Sequence, residues 1–251
     1  MGVISVASAV FWFLCAGFAN FWVVTRIAAY FFMTEQQALD DFTNTVLPPG
    51  KHDAVVSQFG RYIHEYFTAK QLSMRAHIIE GGILTAIFTF NLLAVSRKRF
   101  MTAHRWLGRL AMVVAGVFNV HMVYMLAVVG MAKVSWWMEF ANWVSVAVLG
   151  VALPTGWWYA GGLGNTRGKN TRRHQIAMVL AGACLFINPA ERFWWVVAAK
   201  VVQYRGPYTT WQAFKEGPSD AAGILALFGN FAVAAYLIAA SAPPKAKAKA
   251  Q

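Results

Sequence analysis

The sequence predicts an all-α fold: a polytopic integral membrane helix bundle of about six transmembrane helices, with both termini on the inner side. Three observations predict it. Of 251 residues, 58% are hydrophobic and only 13% charged, and the mean hydropathy is +0.46. An ordinary soluble domain carries about 25% charged residues. Several apolar runs reach the roughly 20 residues that a bilayer-spanning helix needs. Lys and Arg gather between alternate runs, as they do in loops on the cytoplasmic face.

The first run covers residues 3–24, with Ile27 to Met33 extending it. The others cover 76–95, 106–130, 136–159, 175–199 and 221–240. The fifth is the least regular, because Asn188, Pro189, Glu191 and Arg192 interrupt it. No Lys or Arg precedes Arg26, and the first run outlasts a secretory h-region. It reads as a retained helix and not as a signal peptide.

Orientation follows from charge. Arg97, Lys98, Arg99, Arg105 and Arg109 lie between spans two and three, and Arg167, Lys169, Arg172 and Arg173 between spans four and five. Lys245, Lys247 and Lys249 follow span six. Six spans put all three groups on one face, the inner side of a plasma or organelle membrane. Arg26, just past span one on the other face, is a minor dissent.

Residues 1–240 then form one membrane domain, with 34–75 as an external loop. Pro48-Pro49-Gly50 divides that loop into two helices. In the second, Val55, Phe59, Ile63 and Phe67 recur every fourth residue, a stripe that suits an interfacial helix on the membrane surface or one capping the bundle. The Ala/Lys/Pro tail, 241–251, is low-complexity and reads as disordered. The formal net charge of +12 comes from the inter-span clusters, which argues against nucleic acid as a partner. Cys15 and Cys184 sit inside apolar runs, so no disulfide framework is indicated.

Ionisable residues inside a membrane default to functional hypotheses, since their burial is costly. His104 and His174 open spans three and five at the inner side, while His77 opens span two at the outer side. His121 lies 17 residues after His104, about 25 Å further along a helix. Two histidines near each face is what clamping two b-type haems requires, one imidazole on each side of each iron. Gly81, Gly82, Gly108 and Gly116 would let a macrocycle approach, or would serve close helix packing. Against haem, a spacing of 17 turns His104 and His121 about 100° apart on one helix. The plainer alternatives are interfacial histidines facing headgroups and, for His121, a helix–helix hydrogen bond.

The outer layer also holds Glu80, three residues after His77, and Glu191. His77, Glu80, His121 and Glu191 together offer imidazole and carboxylate ligands suited to zinc, with an open position to activate water. The competing reading pairs the two glutamates with Arg75 or Arg192.

His104-Arg105-Trp106-Leu107-Gly108-Arg109 opens one span, and Arg173-His174-Gln175-Ile176-Ala177-Met178 opens a later one. From about Arg75 to Arg192 the chain resembles a membrane-protein family, domain of unknown function 2306, whose most specific element is His-Arg-x-x-Gly-Arg. The resemblance implies a helical membrane fold and emphasises His77, His104, Arg105, Gly108, Arg109, His174 and Arg192; it implies no reaction. The chain departs from it at Gln175, where the family carries Trp. Histidine placement alone gives a looser likeness to transmembrane cytochromes b of the ascorbate-reducible type.

Three function classes follow. One is a haem b electron carrier or oxidoreductase with a quinone or other redox partner. Another is a non-catalytic scaffold beside other membrane subunits, which 11 Trp would suit. The third is a metal-dependent membrane hydrolase or a transporter. No motif for phosphate cradling or nucleophilic catalysis stands out.

Overall fold

The computed structural model describes residues 3–46, 53–130, 136–162, 170–197, 212 and 215–240. Among them every regular element is helical. α1 (Val3–Phe32) is followed by two short helices, α2 (Glu35–Val46) and α3 (Asp53–Phe67). α4 (Gln71–Leu92) breaks at Leu93, whose ψ of 135° is extended, and the brief α5 (Ala94–Arg99) leads into α6 (Met101–Tyr124). α6 continues as a π turn, Met125–Val129, until Gly130 ends it at φ 65°. That left-handed conformation costs glycine least. α7 (Trp136–Tyr159), α8 (Thr171–Leu185), α9 (Ile187–Val196) and α10 (Asp220–Ala240) complete the chain.

Among the described residues, three segments are long and apolar enough to cross a membrane: Met101–Val129, Trp136–Tyr159 and Glu216–Ala240. α8 and α9 together make up to a fourth, bent by 45°. The bend has a local cause. Pro189 lacks an N–H, and its ring collides with the carbonyl four residues earlier, at Leu185, where α8 stops. The unbroken span expected over 175–199 is therefore two helices. α4 is not among the three segments, because Arg75, His77, Glu80 and Asn91 dilute its apolar stretch. It also starts earlier than the expected residue 76.

The core joins α4, α6, α7 and α8, with Leu84, Phe88, Ala115, Leu149, Ala181 and Cys184 among its buried residues. α1 packs on α4 and α9, and α10 packs on α7, α8 and α9. Small residues permit the closest approaches. A Cβ added to Gly156 on α7 would lie 2.8 Å from Met178 Sδ on α8, and one on Gly82 would lie 2.9 Å from Val23. Gly82 thus serves packing of α4 on α1, whereas nothing lies within 4 Å of a Cβ on Gly116. The outer faces are apolar. On α6, Trp106, Leu110, Val113, Val117, Val120, Tyr124 and Val128 are all exposed at helical spacing. That stripe runs about 33 Å at 1.5 Å per residue, close to the thickness of a bilayer's hydrocarbon core.

α2 and α3 cap one end of the bundle. Val55, Phe59 and Ile63 are only 1–3% exposed. They pack with Phe42, Trp22 and Trp195, and with Tyr30, Met74 and Ile78. Of the two roles the stripe allows, membrane surface or bundle cap, the structure takes the cap. Each such side chain contributes about 1.5–3 kcal/mol. Pro48-Pro49-Gly50 and the 241–251 tail lie outside the described residues.

Candidate functional site

The cap sits over the end of the bundle that carries His77 and His121. On α4, Ser73, His77 and Glu80 fall at spacings of four and three, hence on one helix face. α6 packs against that face in the opposite direction, so its far end meets the start of α4. His121 Nδ1 lies 2.9 Å from Glu80 Oε2, and its Nε2 lies 3.3 Å from Ser73 Oγ. The carboxylate can only accept, so Nδ1–H donates to Glu80 and Nε2 is left to accept from the Ser73 hydroxyl. The His121 and Glu80 side chains are 14% and 18% exposed. His77 stacks on Phe118 at 5.2 Å and turns an edge to His121 at 6.5 Å between ring centroids.

Ser73 behaves unlike the other helical hydroxyls around it. Thr25, Thr43, Thr68, Ser96 and Ser145 each donate to a carbonyl three or four residues back, the usual local solution for these side chains. Ser73 points at the imidazole instead. It stands in the first turn of α4, where backbone donors lack intrahelical partners. Gln71 N–H reaches Thr68 O and Met74 N–H reaches Lys70 O, while the N–H groups of Leu72 and Ser73 find no acceptor among the described residues. Lys70, just before the helix, donates to Gly130 O at 2.6 Å and pairs with Glu65 at 2.6 Å.

The expected four-residue metal site does not converge. Among the described residues no group of three or more His, Cys, Asp or Glu is placed to hold a metal ion. Glu80 and His121 meet, but Glu191 on α9 takes Arg192 at 2.8 Å as its partner. Of the two histidines here, His121 has a protein partner at each ring nitrogen, whereas His77 Nδ1 is shielded and unpartnered. At the opposite end of the bundle, His174 Nδ1 donates to Gly156 O at 2.8 Å. His104 sits in the first turn of α6, near enough for the charges of Arg97, Arg105 and His174 to act on it. Its Nδ1 is shielded and unpartnered.

Sequence reading located His77, Glu80 and His121 but missed Ser73. The signal was present as the 73/77/80 spacing on a helix that opens at Gln71. No family model, curated protein or solved structure matches the chain.

Proposed function

We propose that the chain is an integral membrane protein of six spans, formed by α1, α4, α6, α7, the bent α8–α9 pair and α10. We further propose that it cleaves acyl esters at its outer end, with Ser73 as nucleophile, His121 as base and Glu80 as its orienting carboxylate. The observation that carries the reading is the polarity of the chain of contacts: carboxylate on Nδ1, hydroxyl on Nε2. This is the arrangement by which an imidazole activates a serine on unrelated folds. A merely satisfied polar cluster needs only the Glu80–His121 bond, and Ser73 would then donate to its own helix.

The chemistry balances with these groups alone. His121 Nε2 takes the Ser73 proton as Oγ bonds to the acyl carbon. The oxyanion that forms meets the free N–H groups of Leu72 and Ser73 at the helix start, where donors and dipole favour negative charge. The imidazolium returns its proton to the leaving alkoxide oxygen as the ester bond breaks. Water, deprotonated by the same nitrogen, then attacks the acyl-serine; a carboxylic acid departs and Ser73 regains its proton.

Depth and surroundings favour a lipid as the substrate. Leu72, Ile79 and Ile83 on α4, with Val117, Val120 and Tyr124 on α6, present exposed apolar side chains on the two helices that carry the site. Ser73 stands at the outer end of a helix of 22 residues, about 33 Å long. That is where ester carbonyls of membrane lipids lie, between headgroup and chain.

A fluorophosphonate probe tests the reading on the purified protein. Covalent phosphonylation of Ser73, lost in Ser73→Ala and in His121→Ala, is expected. Absence of the adduct on intact protein would sink the hydrolase. The competing haem reading predicts b-type bands in a reduced-minus-oxidised spectrum, removed by His121→Ala but indifferent to Ser73→Ala.

A further inference from the structure

Beneath the α2–α3 cap lies a partly open cavity of about 180 Å³, lined chiefly from α1, α3, α4 and the α8–α9 bend, with Phe42 and His77 among its walls. Its walls are mostly aromatic and aliphatic, yet Arg26, Arg192, His77 and Asn188 all reach it. Arg26 is 7% exposed. Its Nη2 meets Asp41 at 2.5 Å, but Nε and Nη1 are shut off from solvent without a partner. The guanidinium is held between rings, 4.5 Å from Trp22 and 5.8 Å from Phe42. His77 Nδ1 and Asn188 Oδ1 are likewise shielded and unpartnered.

A desolvated arginine with two idle nitrogens is costly, and charged donors left unmade cost most. Folding concentrates these groups on one small space that Asp41 and Glu191, each already engaged, do not fill. We infer that this chamber is a binding site for a small organic carboxylate, a function separate from ester cleavage at Ser73. The arginine fork matches carboxylate geometry. The Asn188 amide can turn its NH₂ toward the ligand, and His77 offers Nδ1–H. The remaining walls, with Trp22 and Phe59 among them, favour an apolar or aromatic body. Size sets the limit. A cavity of about 150 Å³ holds benzene, so a ligand close to benzoate in bulk fits this one.

Benzoate and its neutral counterpart benzamide are the probes, added to full-length protein in detergent micelles. Benzoate at a hundredfold excess over its Kd is expected to raise Tm by about 5 °C or more and to quench tryptophan emission saturably. Benzamide should do neither. Arg26→Gln should weaken benzoate roughly 10- to 100-fold. Gly81→Leu supplies a variant that leaves the arginines intact. A Cβ at Gly81 meets only Phe118, at 3.8 Å, so the helix tolerates a side chain, and leucine there would occupy the chamber and abolish binding. Ser73→Ala should bind benzoate as the wild type does, which separates this site from ester cleavage. No saturable response to benzoate, an equal response to benzamide, or full binding by Gly81→Leu would each overturn the assignment.

Discussion

Glu191 and Arg192 are neighbours in sequence, and they pair with each other at 2.8 Å inside the protein. Adjacent residues on a helix ordinarily face away from one another by about 100°. Here the arginine curls over the Trp195 ring, 4.1 Å from its centroid, and brings Nη1 back to the carboxylate. Glu191 is 1% exposed, and its Oε1 has no partner of its own.

Because the pair is buried, removing one charge strands the other. Glu191→Gln is expected to destabilise the protein by about 3–5 kcal/mol, seen as a lower Tm in detergent. Arg192→Gln should do the same. The double variant, carrying no net charge at the site, should recover part of the loss. A Glu191→Gln protein as stable as the wild type would mean that the pair is solvated.

In the proposed ester cleavage, Glu80 acts through His121 and touches no substrate. Glu80→Gln leaves a neutral amide beside Nδ1, which no longer stabilises an imidazolium or fixes the tautomer. In proteases the equivalent change lowers kcat about 10⁴-fold. A fall of roughly 10³- to 10⁴-fold in kcat, with KM little changed, is expected for a micellar ester. Folding should persist, judged by gel filtration and Tm, because the amide replaces the carboxylate nearly atom for atom.

The proposed six-span arrangement makes a prediction about sides. In a background with Cys15 and Cys184 replaced by alanine, single cysteines at Gln36, Lys98 and Thr171, all exposed, should react differently in sealed vesicles. An impermeant maleimide added outside should label position 36 and leave 98 and 171 protected. Outside labelling at 98 would overturn the topology.

Packing of α7 on α8 depends on the absence of a side chain at Gly156. Gly156→Val pushes a β-branched side chain against Met178 and Ala177 and displaces the carbonyl that His174 uses. Overpacking of this kind costs about 1–3 kcal/mol. A lower Tm is expected, with no change in the rate of Ser73 labelling at the other end of the bundle.

Much of the fold was readable because apolar runs and helix lengths coincide. The fourth run was expected over 136–159 and α7 is Trp136–Tyr159; the sixth was expected over 221–240 and α10 is Asp220–Ala240. The irregular fifth run was visible in Asn188 and Pro189, but the 45° turn was not, since sequence does not say whether a proline kinks a helix or ends it. The Val55/Phe59/Ile63 stripe announces an apolar surface for α3 to cover, and bilayer or bundle satisfies that pattern equally. At the site, charge and imidazole mark Glu80 and His121 as anomalies in an apolar run. Ser73 carries no such mark, because one hydroxyl near a helix start is ordinary until its partner is known. Glu191 takes Arg192, as the ion-pair reading of the sequence had it; depth along a helix could not choose between that partner and the histidines, because it says nothing about which way a side chain turns.

Lys70 ties the opening of α4 to the carbonyl of Gly130, where α6 gives out after its π turn. The tie fixes how far one helix can slide along the other. Slippage by a single residue would carry His121 about 1.5 Å along the axis and 100° around it, which parts the imidazole from the serine altogether. The alignment that the proposed chemistry needs therefore hangs on a latch at the rim. Loosening it, as Lys70→Met would, should slow turnover well before the helices come apart.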